Sequence, residues 1–114
     1  MDKKLFGARA LVYLKYDGEI EELAKVLSDK MEIPGIYFDT NEEPPHELIG
    51  MSEFLSIELW LNKSDSVEGF NFEIEIETFT KVEDRSKYER FDLSPWLAKE
   101  ISSRCKIETY IKNS

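Results

Sequence analysis

Cysteine and histidine are almost missing from this chain: Cys105 and His46 each stand alone among 114 residues. One cysteine cannot close an intramolecular disulfide. Its place at the end of an expected helix reads as a structural thiol, packed as a small hydrophobe. The same scarcity excludes the obvious zinc sites and nucleophile triads within one chain. Glycine occurs singly, at positions 7, 18, 35, 50 and 69, so no glycine-rich phosphate loop exists. No stretch approaches the ~18 consecutive apolar residues of a membrane-spanning helix. The start, Met1 to Gly7, carries a small basic cluster, but Arg9, Lys15 and Asp17 interrupt the apolar residues after it and no small-residue cleavage site appears. A cytoplasmic protein is expected. Positive charge is scarce too: 15 basic against 24 acidic residues leave a net charge of −9. That balance disfavours bare nucleic acid and anionic membranes, which repel it, and favours basic partners.

What is present is enough for one packed domain over residues 1–114, since 41% of the residues are apolar and 12% aromatic. The clearest pattern is Phe70-Asn71-Phe72-Glu73-Ile74-Glu75-Ile76-Glu77. Strand side chains alternate between faces, so Phe70, Phe72, Ile74 and Ile76 share one face and the three glutamates the other. One face belongs to a core. The other is a row of like charge that is unfavourable to hold together.

Residues 8–16 are rich in β-formers, with apolar groups on both alternate faces, which predicts a central strand. From Glu19 to Met31, Ile20, Leu23, Ala24, Leu27 and Met31 recur at helical spacing, with Asp17 as the expected N-cap. Ile33-Pro34-Gly35 ends this helix. Residues 36–38 read as a short edge strand, 39–45 as an acidic loop, and 46–53 are ambiguous. Residues 54–61 form the next expected strand, 62–66 a turn, and 70–80 the returning strand, with a hairpin loop of about seven residues. Residues 81–90 read as charged and solvated, with Tyr88 or Phe91 returning to the core. Ser94-Pro95 begins a second helix, serine as N-cap and proline at the first position. Leu97, Ile101 and Cys105 line its inner face, flanked by Trp96. Residues 107–111 alternate as a last strand. The expected fold is α+β, a ferredoxin-like β-α-β-β-α-β order with both helices on one face of an antiparallel sheet.

Candidate chemistry is sparse. His46 lies near Asp39, Glu42, Glu43 and Glu47, but the spacing matches no defined metal motif and the flanking prolines fit an extended, solvated loop. Nothing singles out two of the 24 acidic residues as an acid–base pair. No enzyme, metal or cofactor is therefore expected. The glutamates at 73, 75 and 77 fit the solvent face of a half-buried strand. They also fit a functional surface if Glu58, Glu108 and the loop with Asp39, Glu42 and Glu43 join them. Trp60 alternates in phase with Glu58, so it is expected among these carboxylates on the open face, where an aromatic can anchor an interface. Whether Glu58 and the 73–77 row share a face depends on hairpin register.

The segment Phe91-Asp92-Leu93-Ser94-Pro95-Trp96-Leu97-Ala98, followed by a short helix and the strand Lys106 to Ile111, resembles the C-terminal part of some small bacterial immunity proteins. These are the antidotes encoded with polymorphic or contact-dependent growth-inhibition toxins. The resemblance implies a non-catalytic inhibitor that occupies the cleft or an exosite of a toxin domain, commonly a nuclease. It carries over no functional residues. Taken with the acidity, the expectation is a basic protein partner met by Glu58, Trp60, Glu73, Glu75 and Glu77, with Asp39, Glu42 and Glu43 as a second patch. A small-molecule binding or regulatory module with a ferredoxin-like sheet, able to dimerise through the open face, is the alternative, and it requires a concave apolar pocket.

Overall fold

The computed structural model describes residues 4–40, 47–54, 57–78 and 88–112. Among these described residues, two helices and seven strands follow the order β1 (Lys4–Lys15), α1 (Ile20–Met31), β2 (Tyr37–Thr40), β3 (Leu48–Phe54), β4 (Ile57–Val67), β5 (Phe70–Thr78), β6 (Tyr88–Asp92), α2 (Ser94–Cys105), β7 (Glu108–Tyr110). The sheet order is β2-β3-β4-β5-β1-β6, and β7 also pairs with β1. The fold is α+β, as the element order predicts. The sheet has more strands than the four main ones expected. It is antiparallel except where β6 runs parallel to the first half of β1.

The core lies between one sheet face and the two helices. Ala10, Val12 and Leu14 of β1, Leu59 and Leu61 of β4, and Phe72 and Ile74 of β5 meet Ile20, Leu23 and Leu27 of α1 and Leu97 and Ile101 of α2. The 3.6-residue and two-residue periods bring these side chains to a common layer. Complete burial of each large aliphatic contributes about 1.5–3 kcal/mol.

Several local expectations fail for identifiable reasons. Residues 62–66 are polar, yet they continue β4, because pairing runs on from Asn62 opposite Glu73 and Lys63 opposite Phe72 before an irregularity ahead of Val67. The turn falls at Glu68-Gly69, where Gly69 takes φ +86°, a left-handed value that disfavours other residues. The expected strand 54–61 is divided: Phe54 ends β3 and pairs with Ile57 at the start of β4. The ambiguous stretch 46–53 becomes most of β3, paired on both sides. Asp17 does not cap α1. Glu19 stands at the N-cap without a side-chain hydrogen bond. Residues 88–92, expected as solvated chain with Tyr88 or Phe91 returning to the core, form β6; Phe91 is 55% exposed, and the Tyr88 side chain lies outside what the structure describes. Residues 79–87, which hold most of the expected charged segment, lie outside the described residues.

The outer edge of β1 is shared. Lys4 to Arg9 pair with β6, and Tyr13 to Lys15 with β7. Between them, Leu93 N–H donates to Arg9 O at 2.8 Å and Leu11 N–H donates to Ser94 Oγ at 2.9 Å. Ser94 therefore serves as a side-chain substitute for a missing strand, not as the expected cap of α2, whose N-cap is Leu93. Its hydroxyl donates in turn to Asp92 Oδ1 at 2.6 Å, which also accepts Ser94 N–H at 3.0 Å. These bonds hold the Asp92 carboxyl below the usual carboxylate range. Their stabilisation is present above that range and is lost as pH falls through the folded-state value. At the other end of β1, Gly7 (φ +79°) lets the chain pass against Thr78, where a Cβ would come within 2.8 Å of Thr78 Cβ. Thr78 Oγ1 accepts Ala8 N–H at 2.9 Å.

Ser94→Ala leaves the Leu11 amide without its acceptor in a half-buried position. Denaturant unfolding is expected to show a loss of about 1–3 kcal/mol. An unchanged midpoint would mean that the hydroxyl does not complete the β1 edge.

Candidate functional site

The residues that alternate with the core layer compose the opposite face, uncovered in the sense that neither helix packs on it. Pairing places Glu58 opposite Glu77, Trp60 opposite Glu75 and Asn62 opposite Glu73 across β4 and β5. On the far side of β4, Met51 stands opposite Trp60 and Glu53 opposite Glu58. On the far side of β5, Arg9, Leu11 and Tyr13 oppose Glu77, Glu75 and Glu73. Tyr37 and Asp39 continue the face on β2, opposite Met51 and Ile49. Directly opposed side chains have Cβ atoms about 4.5–5.5 Å apart, and diagonal ones about 7–8 Å. The hairpin register thus gathers Glu58, Trp60, Glu73, Glu75 and Glu77 into one patch, with half-buried Trp60 at its middle.

Asp39 shares the face but stands toward its outer edge, where Oδ1 accepts Thr40 N–H at 2.8 Å. Glu42, Glu43 and His46 lie outside the described residues. Glu108 stands opposite Lys15 and pairs with its Nζ at 3.8 Å, so its charge is locally balanced. Glu53, Met51 and Tyr37 were not foreseen from the sequence. Ile49, Met51 and Glu53 do alternate, but their core-facing partners are Gly50 and Ser52, which hide the period. Two cations were also missed. Arg9 lies beside Glu77, and Lys112 Nζ sits 5.1 Å from the centre of the Tyr13 ring.

These two cations border a depression of about 340 Å³, with Leu11, Tyr13, Glu75, Glu77, Asp92 and Ser94 among its other walls. It lies where β6 and β7 part along β1. Glu73 is raised above its ordinary pKa by partial burial first and by Glu75 next, with Lys112 opposing. Glu75 is raised in the same order by burial and Glu77, with Arg9 opposing. Desolvation and like charge both disfavour the ionised form. The row is therefore electrostatically loaded, and an incoming cation relieves it.

No set of three potential metal ligands gathers among the described residues. Cys105 is half-buried against the core, and burial pushes its thiol up, away from the reactive thiolate. No helix among the described residues is long and apolar enough to cross a membrane. Comparison with protein-family models, with curated proteins and with solved structures finds no match to this chain. The fold and surface together define an α+β protein whose carboxylate-rich sheet face carries no helix among the described residues.

The raised values of Glu73 and Glu75 mean that the folded chain holds these protons more tightly than the unfolded one. Stability from this source is complete below the ordinary glutamate range and declines as pH rises through the raised values. Glu75→Gln is expected to increase the melting temperature at pH 7 and to lose that advantage in acid. A gain of equal size at both ends of a pH series of melts would contradict the assignment.

Proposed function

We propose that this chain is a protein-binding inhibitor of the immunity type, which neutralises a basic toxin domain through its uncovered sheet face. The observation that carries the reading is the register-built patch of Glu58, Glu73, Glu75 and Glu77 around Trp60. Carboxylates outnumber cations on this face among the described residues, in line with the net charge of −9. Such a field speeds encounter with a cationic protein, and a central aromatic supplies desolvated contact area.

Within this proposal the middle of the fold is ferredoxin-like. The strands β7, β1, β5 and β4 lie side by side in that order, with α1 and α2 on one face. The hairpin of β2 and β3 widens the sheet at one edge and β6 adds to the other. The alternative of a small-molecule module draws less support. The depression on this face mixes Leu11 and Tyr13 with Arg9, Glu75, Glu77, Asp92 and Lys112, a more heavily charged wall than a ligand pocket favours.

Co-expression with a cognate basic toxin domain, sought in the gene next to that of this chain, should rescue growth and yield a stable 1:1 complex. Association should slow as salt rises. Joint reversal of Glu73, Glu75 and Glu77 to lysine should abolish rescue while circular dichroism still reports a folded chain. Absence of both rescue and complex, with each protein folded, would overturn the proposal.

A further inference from the structure

Trp60 is the hub of the uncovered face. Its nearest neighbours there are Glu75 and Met51 directly opposite and Glu58 and Asn62 on its own strand. Glu73 and Glu77 on β5 and Glu53 and Ile49 on β3 occupy the diagonals. Among the described residues, no ring stacks on this indole and no ammonium or guanidinium lies over it. The cations of the face among the described residues stand farther off. Arg9 is beyond Glu77 on β1, and Lys112 is engaged with the Tyr13 ring. A half-buried indole with Glu58, Glu73 and Glu75 around it, and with carboxylates outnumbering cations among the described residues of its face, has a definite chemical complement.

We infer that Trp60 and the surrounding glutamates form a cradle for an arginine side chain of the partner protein. The inference rests on the proposed docking of a basic domain to this face and names the group that docks. A guanidinium is planar and weakly hydrated, so it stacks on indole while its edges donate in pairs to carboxylates. Lysine carries the same charge as a compact, strongly hydrated point and has no flat face to stack. Glu75 stands directly opposite Trp60, its ionisation is opposed by burial and by Glu77, and a cation placed over Trp60 offsets both. The apolar flank formed by Met51 and Ile49 accommodates the methylene stem of the arginine.

Peptides of ten arginines and of ten lysines, titrated calorimetrically at low salt, separate stacking from charge. A Trp96→Phe background leaves Trp60 as the one fluorophore of its kind. Trp96 lies 53% exposed on α2, on the other side of the sheet. The arginine peptide should bind about five-fold more tightly and alter Trp60 emission, and Trp60→Leu should weaken the arginine peptide more than the lysine peptide and so erase the preference. Trp60→Phe should retain part of it, which keeps the test available if the leucine variant fails to fold. Equal affinities for the two peptides would overturn the arginine cradle and leave charge-driven docking standing. Binding unaffected by reversal of Glu73, Glu75 and Glu77 would overturn both. No binding of either peptide would also overturn the cradle.

Discussion

The pairing of β1 along both edges is the constraint on which the rest of the structure depends. β5 runs beside it from Arg9 to Leu14, and β6, Ser94 and β7 divide the opposite edge among them. A central strand with unmet amides would be costly in a buried layer. The Ser94 hydroxyl meets one of them where no strand reaches. This arrangement fixes where α2 leaves the sheet and where β7 returns, and so where Lys112 and Asp92 come to rest. The depression beside Arg9 and Tyr13 follows from the same division, because two short strands cannot cover the edge that one long strand would.

The two faces of the sheet have opposite energetic characters. On the helical side, Val12, Leu14, Leu59, Leu61 and Ile74 lie fully or almost fully buried and supply the driving force for folding. On the other side, glutamates are brought beside one another, and burial and like charge oppose the ionisation of Glu73 and Glu75. The stability of the first face allows the second to be held in an unfavourable state. A surface that is loaded in isolation gains on meeting opposite charge, which gives the proposed binding role a physical basis in the fold itself.

Much of this was legible in the residues. The helical spacing of Ile20, Leu23 and Leu27 and the alternation from Phe70 to Glu77 point to α1 and β5 because each pattern matches a single backbone period. The phase of Glu58 with Trp60 was legible for the same reason. Polar residues 62–66 misled because turn-forming composition is only a preference, and cross-strand pairing with Phe72 and Glu73 outweighed it. Phe91 misled because an aromatic in a strand predicts burial only when something covers it. Ser94 read as a cap because local sequence cannot show that the amide of Leu11 lies within reach of its hydroxyl.

The sequence by itself determined which side chains share a face within each element, the acidic excess, and the lack of a cysteine or histidine cluster for zinc or triad chemistry. Those properties depend on backbone periodicity and on counting, both of which are local. Only the tertiary structure decided that Glu58 stands opposite Glu77 and Trp60 opposite Glu75, and that Arg9 and Lys112 border the row. Register is set by the sum of many pairings across the sheet, and a shift of one residue would have turned the same glutamates toward the opposite face.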